Sequence, residues 1–312
     1  MLKIENNKIY SVMYHYIRET KKSEYPNLKV LEFKDFKKQI NFFSKKFNLL
    51  KYDDFLEILR TKKIPKKPSL LLTFDDGYLD HFKYVLPLLS NNKISGIFYP
   101  PSLTMENKIV LNVNKIHFIL EKELNRKKIL KFIENNTKKY LKKNLLQLKL
   151  KRIYSNNRWD DDETKLIKEL LQYHLPENVR NKTINQLFKK IIHLSEKEFS
   201  KELYMNKKHI KEMVQNNMHF GIHGYTHSRL GLLSYKEQKN EIIKSINSFK
   251  KINLNTEDLS ICYPYGSYNK DTLNLIKKYN FKFGLTLNID SISKKNINKI
   301  FELPRFDCKD FL

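Results

Sequence analysis

The apolar run Leu70-Leu71-Leu72-Thr73-Phe74 leads straight into Asp75 and Asp76, followed by Gly77 and Tyr78. Excluding water makes charge expensive, so two carboxylates at the end of such a run need a purpose. A second cluster, His223-Gly224-Tyr225-Thr226-His227, spaces two imidazoles four residues apart. If that segment forms a helical turn, both rings lie on one side, as two ligands of one metal must. The glutamate of the H-E-x-x-H pattern is missing, which speaks against a zincin site. Two neutral imidazoles and one of the two aspartates make a three-ligand set with positions left open. The other aspartate can then take a proton from attacking water. Each cluster also has a plainer use: Asp commonly caps a helix, and two of nine histidines fall four apart easily by chance. Their coincidence favours chemistry.

A third cluster, Cys262-Tyr263-Pro264-Tyr265-Gly266-Ser267-Tyr268, has a proline and a glycine that fix a loop. Its backbone N–H groups could face a developing oxyanion, and its tyrosines could stack on a sugar ring. An ordinary strand-to-helix turn would use the same residues.

These clusters meet only if the chain brings them to one face. Short apolar runs predict strands over Ile9–Tyr16, Leu70–Phe74, Gly96–Tyr99, His219–Ile222, Leu259–Tyr263, Phe281–Leu287 and Ile300–Leu303. Periodic patterns predict helices over Phe33–Phe47, Asp53–Arg60, Tyr78–Leu89, Tyr235–Lys251 and Asp271–Tyr279. This alternation argues for an α/β fold with a parallel sheet wrapped by helices. Seven or so units suggest a barrel, whose strand carboxyl ends converge on one face. All seven glycines lie outside 97–220, and 102–205 is nearly free of turn signals, with Pro176 its only proline. Apolar residues recur there at helical spacing, as in Leu166, Ile167, Leu170 and Leu171. The expected division is a barrel from 1–101 and 206–312 and a helical insertion from 102–205.

Composition narrows the classes. At 312 residues the chain can bury a large core. No apolar stretch is long enough to span a bilayer, the first residues lack a signal-peptide core, and two cysteines are too few for a disulfide framework. The expected location is cytoplasmic, at most peripheral to the inner face of the membrane. A net charge of +26 raises the question of nucleic acid, but only eight of the 60 basic residues are arginine, the side chain base readout relies on. Specific nucleic-acid binding is not expected. Attraction to anionic membrane or to a phosphate-bearing substrate is compatible with the charge.

Taken in order, Thr73-Phe74-Asp75-Asp76-Gly77, His223-x-x-x-His227 and Tyr263-Pro264-Tyr265-Gly266 resemble the polysaccharide deacetylases, metal-dependent carbohydrate de-N-acetylases. The resemblance implies a distorted (β/α) barrel of seven or eight units, interrupted here by the helical insertion. It implies Asp75 as base, Asp76, His223 and His227 as metal ligands, and a backbone N–H near Tyr265, between Tyr263-Pro264 and Gly266, as oxyanion donor. One divalent ion follows, zinc foremost, with cobalt, nickel, manganese or iron as alternatives. Many members open the third motif with an arginine that pairs with the base. Cys262 stands there in this chain, and Arg305 is the candidate replacement. Many also carry an acid histidine near the C-terminus, yet no histidine follows His227. The poly-N-acetylglucosamine deacetylases, a permuted variant, have it in an N-terminal Tyr-His pair, which Met13-Tyr14-His15-Tyr16 fits, so His15 becomes the general acid. His81, His117, His174, His193, His209 and His219 are read as structural or exposed. The implied activity is hydrolysis of a linear, non-peptide amide: removal of an N-acetyl group from an amino sugar of a surface polysaccharide or its nucleotide- or lipid-linked precursor. A catalytically silent glycan-binding protein, which Cys262 would permit, and a charge-driven nucleic-acid binder are the competing readings.

Overall fold

The computed structural model describes residues 2–21, 23–106, 108–144 and 160–311. The chain divides into two compact units, one of 1–19, 30–109 and 200–312, the other of 20–29 and 110–199. The stretch 145–159 of the expected insertion lies outside the described residues.

The first unit is built on parallel strands: β1 (Ile9–Tyr14), β2 (Ser69–Asp75), β3 (Ile97–Tyr99), β4 (His219–Phe220), β5 (Ser260–Cys262), β6 (Phe283–Leu285) and β7 (Phe306–Asp307). One sheet runs β7-β1-β2-β3-β4, with Asn48–Leu49 beside the start of β2. A separate parallel pair joins β5 to β6. Single parallel bridges, Ile222 to Ile261 and Leu285 to Leu303, connect at the edges of that pair.

All seven residues of β2 are buried, which is why it reads as a continuous apolar run rather than an alternating one. Register places Tyr14, Phe74, Phe98 and Phe220 side by side on four successive strands. Their rings form a row, with centroids 5.2, 4.6 and 5.6 Å apart. Such cross-strand aromatic neighbours are the sheet's unit of stabilisation and fix its register. Because side chains alternate along a strand, Thr73 and Asp75 point away from this aromatic row and share the opposite face.

Helices Phe33–Lys46, Tyr52–Thr61, Tyr235–Lys250 and Lys270–Lys278 stand close to their expected limits. Three expectations need correction. The segment after β2 is not an α-helix from Tyr78: it starts as a π-helix, His81–Val85, and becomes α-helical only at Leu86–Asn91. Pro87 has no N–H to bond back to Lys83, and Leu86 N–H bonds to His81 instead, five residues back. β1 stops at Tyr14, after which Ile17–Arg18 pairs with Leu31–Glu32. Ile300–Leu303 contributes one bridge only, and the last strand is Phe306–Asp307, a two-residue element with no apolar run to announce it.

The second unit is helical in its described part: Asn112–Lys122, Arg126–Leu141, Asp162–Glu169 and Glu177–Ile192. Ile119, Ile133, Ile167, Ile184 and Leu187 are buried on these helices. Residues 20–29 belong to this unit although no helical signal marks them, because Tyr25 packs edge-on against Phe118 and Phe199.

Candidate active site

Asp75 ends β2, and Asp76 turns away from it with φ 69°, followed by Gly77 at φ 66°. Only glycine fits at 77, since a Cβ there would lie 2.6 Å from Pro100. The Asp76 N–H donates to the Tyr99 carbonyl, and its Oδ2 accepts a 2.6 Å bond from the Tyr78 hydroxyl. Asp76 Oδ1 is buried without a hydrogen-bond partner. It lies 3.6 Å from His223 Nε2 and 3.3 Å from His227 Nε2, and those two nitrogens are 3.2 Å apart.

The two histidines are not on a helical turn, as their spacing suggested; residues 223–227 form a loop with Gly224 at φ 70° and His227 at φ 62°. Glu241 holds that loop in shape. Its Oε2 accepts the N–H groups of Tyr225 and Thr226, both at 2.9 Å, and its Oε1 accepts the Thr226 hydroxyl. His223 Nδ1 lies 2.7 Å from the Cys262 carbonyl, so the proton belongs on Nδ1 and the Nε2 lone pair faces Asp76. Burial pushes the His227 imidazole down to about 3 against the pull of Asp76, so it is neutral.

Asp76, His223 and His227 fit a metal ion. Three donor atoms face one another, one a carboxylate oxygen that is otherwise an orphan. The triangle edges of 3.2, 3.3 and 3.6 Å match the ~3.3 Å edge of a tetrahedron with zinc-like bonds of about 2.05 Å. Repelling lone pairs at these distances would be unfavourable without a cation or shared protons among them.

Asp75 makes a different set of contacts. Arg305 clasps it with two parallel bonds, Nη1 to Oδ1 and Nη2 to Oδ2, both 2.9 Å. The guanidinium also donates to Thr73 Oγ1, to the Thr286 carbonyl and to Cys262 Sγ. Arg305 is 1% exposed and Asp75 2%. Burial alone would push the Asp75 carboxyl up; the Arg305 charge, with His223 and His15 beyond it, outweighs this and holds it well below the usual carboxylate range. The Cys262 thiol lies 3.4 Å from Asp75 Oδ2 and, pushed up by burial, stays protonated.

His15 follows β1 and is half-buried. Its carbonyl lies 2.8 Å from Nε2 of His81, a fully buried ring. In the third cluster, Pro264–Gly266 forms a 3-10 turn with Tyr265 at φ 58°. The Tyr265 ring sits 4.7 Å from that of His227, under the Arg229 guanidinium at 3.7 Å. Tyr263 does not present a face for a sugar: it is buried, stacks on Tyr268, and donates its hydroxyl to the Phe301 carbonyl.

The structure thus brings Asp75, Asp76, His223, His227, Arg305 and the Tyr265 loop together. Tyr78 and Glu241 escaped the sequence reading, whereas His81, read there as structural or exposed, is fully buried. Tyr78 adjoins the first motif and was a visible candidate; nothing local marks Glu241.

Residues 180–284 match the family model described as polysaccharide deacetylase. The match includes His223, His227 and the Tyr263–Gly266 loop and leaves out His15, Asp75, Asp76 and Arg305. No curated protein matches the chain by sequence. Among solved structures, the deacetylase PplD of Streptococcus pyogenes, in complex with acetate, is 19% identical with a TM-score of 0.60, covering 97% of this chain and 92% of that one. IcaB from Ammonifex degensii is 14% identical with a TM-score of 0.57, covering 97% and 93%. A de-N-acetylase from Aggregatibacter actinomycetemcomitans is 14% identical with a TM-score of 0.56, covering 98% and 100%. At these identities the likeness is one of fold. Among the described residues no helix is long and apolar enough to cross a membrane.

Proposed function

We propose that this chain is a metal-dependent polysaccharide deacetylase that removes N-acetyl groups from amino sugars of a cell-envelope glycan or its precursor, on a distorted barrel closed through the single bridges beside β5 and β6. One observation carries the reading: an orphaned Asp76 oxygen faces two imidazole nitrogens, next to a second carboxylate locked to a buried arginine. Asp76, His223 and His227 would hold one divalent ion, zinc foremost, which when bound supplies a Lewis acid that polarises the amide carbonyl and acidifies water. Asp75, ionised throughout the working pH range, takes the proton of the attacking water. The Tyr265 N–H would donate to the oxyanion, and His15 would protonate the leaving amine, so that acetate and a sugar ammonium result.

The Arg305 clasp on Asp75 argues against a catalytically silent binder, because it restores from the segment entering β7 the guanidinium that Cys262 does not provide. A cytoplasmic place near the inner membrane face, and a lipid- or nucleotide-linked precursor as substrate, are in keeping with a net charge of +26. The test is acetate release and mass spectrometry on N-acetylglucosamine oligomers and on such precursors, with metal-loaded protein. Release that disappears in both Asp75→Asn and His223→Ala supports the reading; folded, metal-loaded protein that releases no acetate from any of them overturns it.

A further inference from the structure

Asp76 has two carboxylate oxygens, and the site needs only one of them turned toward the histidines. We infer that Tyr78 is the residue that decides which one, acting as a positioning residue for the metal ligand and keeping it one-pronged. This rests on the metal reading above and deepens it.

The geometry is unusually constrained. The Tyr78 hydroxyl donates a 2.6 Å bond to Oδ2, while Oδ1 lacks any partner and faces the two Nε2 atoms. The donor itself cannot drift. Tyr78 is fully buried, its ring stacks on Tyr16 at 4.0 Å and lies parallel to Tyr204 at 6.2 Å, and its backbone forms an antiparallel bridge with Tyr204. The Met205 N–H donates to the Gly77 carbonyl, tying down the turn between ligand and tyrosine.

Occupying Oδ2 has two consequences. It orients the ligand before the ion arrives, removing a rotation that binding would otherwise have to freeze. It also withholds Oδ2 from the ion, so the carboxylate contributes a single oxygen and positions remain open for water and substrate. Partners of this kind typically change metal affinity 10–100-fold.

The test is Tyr78→Phe, which deletes one oxygen and keeps the stacked ring. Zinc affinity is measured by competition with a chromophoric chelator, at a temperature where both metal-free proteins are folded by circular dichroism. The cobalt-loaded forms are compared by visible absorption, which reports coordination number. The expected result is a 10–100-fold loss of zinc affinity and a cobalt spectrum shifted toward higher coordination, as Oδ2 becomes a second donor. A folded Tyr78→Phe protein that binds zinc within threefold of wild type, with an unchanged cobalt spectrum, overturns the inference and leaves the metal reading intact. Wild-type protein that binds no zinc overturns the metal reading itself.

Discussion

Replacing Arg305 with methionine removes the guanidinium while leaving an aliphatic stem of similar length. Asp75, 2% exposed, would then keep its charge without the two 2.9 Å bonds that compensate it. Breaking a buried ion pair from one side costs about 3–5 kcal/mol. Losing the bonds to Thr73 Oγ1 and the Thr286 carbonyl pushes toward the upper end. At roughly 2–4 °C per kcal/mol for chains a little shorter than this, the melting temperature should fall by about 6–20 °C. The pH dependence carries a second signature. In wild type, Asp75 is held below its ordinary value, so its stabilising contribution is present above about pH 3.9, the unfolded value, and is lost only as pH falls through the lower folded one. In Arg305→Met, burial loses its main opponent and the folded carboxyl titrates higher than in wild type. The variant's deficit should therefore be largest near neutrality and shrink as pH falls toward 4. Urea unfolding of metal-free protein at pH 7 and pH 4.5 measures both. Arg305→Met combined with Asp75→Asn should recover much of the loss, because no charge is then stranded. A deficit under about 1 kcal/mol, or one that stays constant between the two pH values, would refute the claim that the fork neutralises a buried carboxylate.

Four further outcomes are expected. His223→Ala and His227→Ala should each lose most bound divalent metal by elemental analysis, while His193→Ala retains it; equal content in all three would contradict the ligand assignment. Asp75→Asn should keep metal and lose turnover, whereas Asp76→Asn loses both, and reversed phenotypes would exchange the two roles. His15→Ala should bind metal and fold normally but lower kcat by about 10²–10⁴; a near-normal rate would require another proton donor. Burial pushes His81 down to about 4, so the unfolded chain takes up its proton first. Stability that neutral His81 supplies above pH 6.5 should drain away as pH falls toward 4, by up to about 3 kcal/mol, and His81→Gln should flatten that slope in urea titrations.

What could be seen in the sequence was whatever a short stretch states by itself. β2 is legible because a strand buried on both faces must be apolar throughout, and the carboxylates at its end stand out against that background. The four principal helices of the first unit are legible from their period. The loop that carries His223 and His227 is not, because its shape comes from Glu241 on a helix that follows, and a carboxylate receiving backbone N–H groups looks in sequence like any other glutamate on a helix. β7 is illegible for a similar reason: two residues with no apolar pattern become a strand only because β1 offers them an edge.

Arg305 shows the same limit from the chemical side. The motif resemblance places a guanidinium beside the base at position 262, and this chain has a cysteine there. What the carboxylate requires is a fork at bonding distance, and the fold lets β7's entry supply it across 230 residues of sequence. The Cys262 side chain is part of that solution. Its sulfur touches Arg305 Nη2 at 2.9 Å with both side chains buried, so an arginine at 262 would have to occupy the space the Arg305 guanidinium already fills. The small residue at one position and the arginine at the other are therefore two halves of one packing arrangement, and neither half carries a local signal that would reveal its partner.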